Sequence, residues 1–414
     1  MAHSEKRMLE AAQIAYLNCI EVGEKNLTLE GKKAPYTVKD MIMSTISLRD
    51  IKKLMEADGK DIEYASFKDI ISYSDLVKRD KELIVELSDE ALNWKIVDIH
   101  DTTTQNGFYG CVIETSENDA IVSIRGSEGF NDYAGAIHDW AESDFGLLNN
   151  EETIQMAEVE RYVSKLVDNS VLDKYQTIEA SGHSLGGNLA SHFAVACASS
   201  KKAEDICKKI TSVCNFDGPG ISSEYIERNE TAIKKVSNRI THYKWSPVGS
   251  LLYNVPGSKE EFLKTRKYYE KSTKLSDKIA YYTFVKHDSR SLIFDDDGVA
   301  QRGKEDNLAK ALGGISHGLE HMPTITNALY ALAESTIGKM IYQKDDGKIG
   351  FKLPFVERAE DDYRNVPESC RELKLKCGDI VNEILYEVKD YTTKVMDKMP
   401  QMSSRNDLVL EILK

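Results

Sequence analysis

Hydrophobic positions change their period along the chain, and the changes divide it into three. From residue 1 to about 90 the apolar residues recur at helical spacing. Leu9, Ile14, Ala15 and Leu17 form one such stretch, Ile51, Leu54 and Met55 a second, and Leu83 to Leu92 a third. Trp94-Lys95-Ile96-Val97-Asp98-Ile99 then alternates as a strand does. Gly107 to Glu114 and Asp119 to Ile124 read as a hairpin that turns at Ser116-Glu117-Asn118-Asp119.

Helices and strands alternate after that. Glu151 to Leu166 and the alanine-rich Asn188 to Ala198 predict helices, and Tyr175 to Ala180, Ile210 to Phe216, Arg239 to Tyr243 and Ile279 to Val285 predict strands. This order predicts an α/β fold with a mostly parallel central sheet flanked by helices. From Lys304 onward the pattern reads almost entirely as helix, with a stripe at Ile380, Ile384, Leu385, Val388 and Val395. The turn sequence Asp345-Asp346-Gly347-Lys348 is expected to divide two helical parts. The predicted organisation is an N-terminal helical segment (1–90), an α/β core (91–303) and a C-terminal helical region (304–414).

Composition narrows the function classes. With 414 residues, 41% hydrophobic and 29% charged, the chain is of the globular type and long enough for a large core. A net charge of −14 argues against nucleic acid, which needs a basic face, and against strong binding to anionic lipid. Seven cysteines without a Cys-x-x-Cys pair suggest free thiols in a reducing compartment. Met1 to Ile20 mixes acidic and basic residues and lacks the apolar run of a secretory signal, and no stretch approaches a membrane span. The expected location is the cytoplasm, with export by a route that cleaves no signal as the alternative.

The chemistry concentrates at Gly182-His183-Ser184-Leu185-Gly186-Gly187. A predicted strand enters this Gly-x-Ser-x-Gly segment and a small-residue helix leaves it, the context in which the serine of a tight turn stands above a sheet as a nucleophile. Side chains at Gly182 or Gly186 would collide with the neighbouring strand or helix. The N-terminus of the following helix adds positive potential where negative charge develops.

Together these residues resemble the α/β-hydrolases, and among them the class three (fungal-type) lipases. The nearest likeness is to a bacterial branch of lipase-like hydrolases. The segment Gly182 to Gly187 with Asn188-Leu189-Ala190 resembles the family's nucleophile segment. Ile121-Val122-Ser123-Ile124-Arg125-Gly126-Ser127 resembles its strand ending in Arg-Gly-Thr/Ser, and Asp139-Trp140 with Asp144 the motif that follows. The resemblance covers about residues 90 to 300. It implies Ser184 as nucleophile and an oxyanion hole from the N–H of Leu185 and from Ser127. It implies a carboxylic ester, an acyl lipid or a smaller acyl ester, as substrate, with no cofactor required. A lid follows this point in the lipases; Glu128 to Asp139, with Phe130, Tyr133 and Ile137, is either a lid or a surface helix.

His287, in Lys286-His287-Asp288-Ser289 after a predicted strand, is the candidate general base. His242 lies within a predicted strand, His183 should point away from the nucleophile, and His192 should pack against the sheet. The acid departs from the family pattern. Arg239 to Ser258 holds no Asp or Glu, and Trp245-Ser246-Pro247-Val248-Gly249 stands where the lipases carry Asp before Val. Asp217, one strand earlier in Asn215-Phe216-Asp217-Gly218-Pro219-Gly220, is the candidate acid, at a known alternative place in the fold. Asp288 would have to fold back to reach the ring. Ser246 is an alternative orienting group.

Rival readings come from other classes. His317-Gly318-Leu319-Glu320-His321 matches the His-x-x-Glu-His zinc peptidase pattern, with Glu372, Glu383 or Glu387 as possible third ligands. Gly318 and Pro323 disfavour the helix that pattern needs. Asp295-Asp296-Asp297-Gly298 resembles part of a calcium loop but reads better as a charged turn. The third reading is a catalytically impaired hydrolase fold used for interaction, its helical ends binding a protein partner.

Overall fold

The computed structural model describes residues 3–126, 154–266, 286–305, 309, 313 and 316, and the backbone of 341–343 and 349–351. Eight strands follow one another in sheet order: β1 (Tyr36–Thr37), β2 (Lys95–Thr102), β3 (Phe108–Glu114), β4 (Asp119–Ile124), β5 (Thr177–His183), β6 (Ile210–Phe216), β7 (Ile240–Lys244) and β8 (Lys259–Phe262). The pairs from β1 to β4 are antiparallel, whereas β4–β5 and β7–β8 are parallel. Helices connect β5 to β6 and β6 to β7, and such crossovers between sheet neighbours are those of parallel strands. The result is the expected α/β-hydrolase architecture, a mostly parallel central sheet flanked by helices.

The chain forms two compact units. The first comprises Met1–Gly126, Glu158–Asn215 and Phe294–Val299, and the second comprises Ser127–Ala157, Phe216–Ile293 and Ala300–Lys414.

In the first unit the N-terminal stretch is helical as the periodicity predicts: α1 (Glu5–Ile14), α2 (Asn18–Leu29), α3 (Val38–Met43), α4 (Leu48–Ala57), α5 (Phe67–Tyr73), α6 (Lys78–Glu86) and α7 (Asp89–Leu92). Short polar caps set their starts. Thr37 with Asp40 and Ser66 with Asp69 form capping boxes, each satisfying two end amides. The single helix expected over Leu83 to Leu92 is two. Ser88 accepts from the Ala91 amide and so starts α7, while buried Glu10 of α1 takes the Ser88 amide at 3.1 Å.

α1 lies against β4 and β5. The Oγ of Ser123 donates to the Ala11 carbonyl at 2.8 Å, and that of Ser181 to the Met8 carbonyl at 2.6 Å. Both serines are fully buried and are register partners, so they share one face of the sheet. Gly182, the next residue of β5, faces the opposite side, where α10 (Leu185–Ser199) packs. The small residues of α10 are buried from Leu185 to Ala198, which lets the helix approach the strands closely. Between β4 and β5 runs α9 (Ile154–Asp168), and α11 (Glu204–Lys209) precedes β6. The short helix α8 (Thr103–Asn106) ends at Gly107, whose φ of 75° closes it.

In the second unit, β7 and β8 pair in register from Thr241↔Lys259 to Lys244↔Phe262. α12 (Ser223–Val236) is capped by Ser222, which accepts from the Tyr225 amide at 3.1 Å. The stretch after Lys304, expected to be almost all helix, includes two short strands. Residues 309, 313 and 316 are helical, but β9 (Ile341–Gln343) and β10 (Ile349–Phe351) pair antiparallel. β9 and β10 thus stand on either side of Asp345-Asp346-Gly347-Lys348, which itself lies outside the described residues. β-branched and aromatic residues on both sides of an Asp-Gly turn are a hairpin signal, which the longer helical stripe obscured.

Candidate active site

Ser184 sits between β5 and α10 at φ 59° and ψ −139°, a conformation that a non-glycine residue holds at a cost of order 1–3 kcal/mol. Its carbonyl accepts from the Gly187 amide at 2.8 Å. The glycines around it are fixed by contact. A Cβ on Gly182 would overlap the Gly186 carbonyl, one on Gly186 the Ile124 carbonyl, and one on Gly187 the Asn215 side chain. The turn is thus wedged between strand and helix, and Ser184 is left half-buried. Leu185 opens α10; an amide at that first helical position has no acceptor within the helix, and the helix dipole adds positive potential there. This is a strand–turn–helix arrangement with the strained Ser184 at its turn.

In the second unit, Asp217 follows β6 and is itself strained, with φ 52°. Its amide donates to the Tyr243 carbonyl at 2.7 Å. The side chain has no exposure. One carboxylate oxygen accepts from the amides of Trp245 at 2.9 Å and Ser246 at 3.0 Å. The other lies 2.7 Å from Nδ1 of His287. Burial alone would push the carboxyl up. The hydrogen bond and charge of His287, with the bonds from Ser246 and Trp245, reverse this and hold it below the usual carboxylate range. Gly249 makes room, since a Cβ there would overlap the Asp217 carboxylate.

His287 begins the loop before a short 3-10 turn (Ser289–Ser291) and is 16% exposed. Ser246 stands beside the pair. Its Oγ lies 3.3 Å from the same Nδ1 and accepts from the Val248 amide at 3.2 Å. The two orienting groups the sequence left as alternatives therefore meet at one nitrogen, with the carboxylate at the shorter distance. Asp288 is engaged elsewhere: its oxygens accept from Nε of Arg290 at 2.9 and 3.1 Å.

Among the described residues, His242, His192 and His183 have contacts of their own. Nε2 of buried His242, in β7, accepts from the Val255 amide at 3.3 Å, and burial, with Lys244 nearby, pushes its pKa down to about 3. His192 is buried in α10. The ring of His183 meets that of Tyr16 edge-on at 6.0 Å. Asp295 accepts from the amides of Asp297 at 3.1 Å and Val299 at 2.8 Å, which makes its acidic run a self-capped turn. Ser127, the 128–139 segment, Asp139, Trp140, Asp144, the stretch Ile279 to Val285 predicted as a strand, and His317, Glu320 and His321 lie outside the described residues. Among the described residues no helix is long and apolar enough to cross a membrane, and no His, Cys, Asp and Glu group is arranged to hold a metal ion. Gly249, which clears space for Asp217, carries no sequence signal that singled it out.

A family model described as Mbeg1-like matches residues 91–257, the stretch that carries Ser184, Asp217 and Ser246. No curated protein matches the chain. Among solved structures, the chain is similar to M37 lipase at 11% identity over 68% of this chain and 91% of that one, with a TM-score of 0.38. It is similar to lipase II from Rhizopus niveus at 14% identity over 50% and 82%, with a TM-score of 0.31. The triacylglycerol lipase from Penicillium expansum is 19% identical over 42% and 70%, with a TM-score of 0.24.

Proposed function

We propose that the protein is a serine hydrolase of carboxylic esters, acyl lipids or smaller acyl esters, of the lipase-like type and nearest to a bacterial branch of it. The observation that carries this reading is the strained Ser184 at a strand-to-helix turn wedged by glycines. Strained backbone clusters at functional sites, and presenting a nucleophile is the use this turn has in α/β-hydrolases.

In the proposed reaction Ser184 Oγ attacks the ester carbonyl carbon and its proton passes to Nε2 of His287. Asp217, bonded to Nδ1, holds the ring in the tautomer with no proton on Nε2 and stabilises the imidazolium that forms. The oxyanion accepts from the N–H of Leu185 and from Ser127. Collapse of the tetrahedral intermediate breaks the C–O bond, and His287 protonates the departing alcohol. Water then attacks the acyl-enzyme by the same route in reverse and frees the acid. No cofactor enters any step.

The test is Ser184→Ala against a short p-nitrophenyl ester. Turnover is expected to fall by about 10⁴-fold or more. Full activity in the variant would refute the assignment. A panel of esters, thioesters and amides then separates the leaving groups, and a series of acyl lengths sets the chain preference.

A further inference from the structure

The register of β4 and β5 runs out at Ile124↔Gly182. Beyond it the two chains continue to the places that matter most to the proposed chemistry: one to Ser184, the other to Gly126 and on toward Ser127. No ladder pairing spans that last step, yet the backbones are close. A Cβ on Gly126 would stand 2.7 Å from the His183 carbonyl and 3.0 Å from the Gly186 amide.

What joins them is a side chain from the N-terminal helices. Tyr16, in the connection between α1 and α2, is buried with 6% exposure. Its hydroxyl accepts from the Gly126 amide at 3.1 Å and donates to the His183 carbonyl at 2.9 Å. One O–H therefore uses its donor on the residue before Ser184 and an acceptor lone pair on the residue before Ser127. Residue 126 has to be glycine for this, because a Cβ would stand 2.5 Å from the hydroxyl. The ring is held in turn, with the Arg79 guanidinium of α6 4.7 Å above it. α1 is anchored by the Ser123 and Ser181 bonds, which fix where residue 16 emerges.

We propose that Tyr16 is a positioning residue of the ester hydrolase, a hydroxyl clamp that sets the spacing between the nucleophile turn and the strand end leading to the second oxyanion donor. This rests on the reading of Ser184 as the nucleophile. The clamp replaces the missing rung of the ladder, and it assigns the N-terminal helices a part in turnover as well as in stability. Misplacing a reacting group by about 1 Å can cost about 10²-fold in rate, so loss of the clamp acts on the chemical step, not on ground-state binding.

The experiment is Tyr16→Phe, which removes one oxygen and keeps the ring under Arg79. Turnover per active site, counted by titration with a fluorophosphonate, is expected to fall about tenfold or more while KM stays within about twofold. Hydrogen exchange at the Gly126 amide should quicken. A hydroxyl that only stabilised the fold would lower the thermal midpoint and the number of titratable sites but leave turnover per site unchanged, and that result overturns the proposal. If Tyr16→Phe does not fold, Arg79→Met provides the second variant: kcat per site should drop about threefold with KM held, and unchanged kcat overturns the proposal equally. A wild-type protein that neither hydrolyses esters nor takes up the probe signals failure of the hydrolase reading itself. An active wild type with an unaffected variant signals failure of the clamp alone.

Discussion

Replacing Asp217 by asparagine probes the least conventional part of the site. The carboxylate has three donors to satisfy: the amides of Trp245 at 2.9 Å and Ser246 at 3.0 Å, and His287 Nδ1 at 2.7 Å. An asparagine has one oxygen for them. If that oxygen keeps the two amides, the NH₂ faces Nδ1, and the ring can answer only by leaving Nδ1 bare and carrying its proton on Nε2. The opposite flip sets an NH₂ against two backbone donors and leaves both unsatisfied, at about 1–3 kcal/mol each, so the first arrangement prevails. A ring protonated on Nε2 cannot accept the proton of Ser184, and the wrong tautomer in a serine triad lowers turnover by about 10⁴-fold. Stability changes less. Three charge-assisted bonds become neutral or are lost, while the cost of burying a charge disappears, for a net loss of about 1–3 kcal/mol at neutral pH. Its sign follows from the lowered carboxyl pKa: the stabilisation is full above the ordinary carboxylate range and fades as pH falls through the folded value, so wild type and variant should converge in acid. The assay is kcat on p-nitrophenyl butyrate per titrated site, with urea unfolding at several pH values. Ser246→Ala runs alongside and should cost less than about tenfold, since its Oγ lies 3.3 Å from Nδ1. Turnover of Asp217→Asn within tenfold of wild type, or a larger loss in Ser246→Ala, would show that the carboxylate is not the orienting group.

Three further outcomes are expected. Gly182→Ala places a Cβ into the Gly186 carbonyl, backbone against backbone, and should destabilise by about 1–3 kcal/mol or more, read as a drop in thermal midpoint and in soluble yield. Ser181→Ala removes the bond to the Met8 carbonyl and leaves that buried acceptor short, costing about 1–3 kcal/mol by urea unfolding. His242, with its pKa near 3, is neutral when folded and takes up a proton on unfolding below about pH 6.5; wild-type stability should therefore fall by about 2 kcal/mol from pH 7 to pH 5, and His242→Gln should flatten that slope in urea titrations at the two pH values.

Much of this was legible in the chain because it depends on local periodicity. The strand–turn–helix around Ser184 follows from β-branched alternation, a glycine pair and an alanine-rich run, all contiguous. Asp217 was legible as an acid at a strand end in a Gly-Pro turn, though its grip on His287 spans 70 residues and belongs to the fold. The break at Ser88 was only partly legible, because the Glu10 that takes the Ser88 amide lies 78 residues away. The hairpin of β9 and β10 was masked by a helical stripe further along. Tyr16 had no signal at all. A tyrosine in a helical connection looks like core, and its part in the site depends on where two buried serines seat α1 against the sheet.

The central claim is that Ser184 is a nucleophile, and the most direct measurement is labelling of the native protein with a fluorophosphonate, followed by peptide mass spectrometry. A single adduct on the peptide bearing Ser184, absent after heat denaturation and absent in Ser184→Ala, is the predicted result. An unlabelled native protein, or an adduct on another residue that persists in Ser184→Ala, would contradict it.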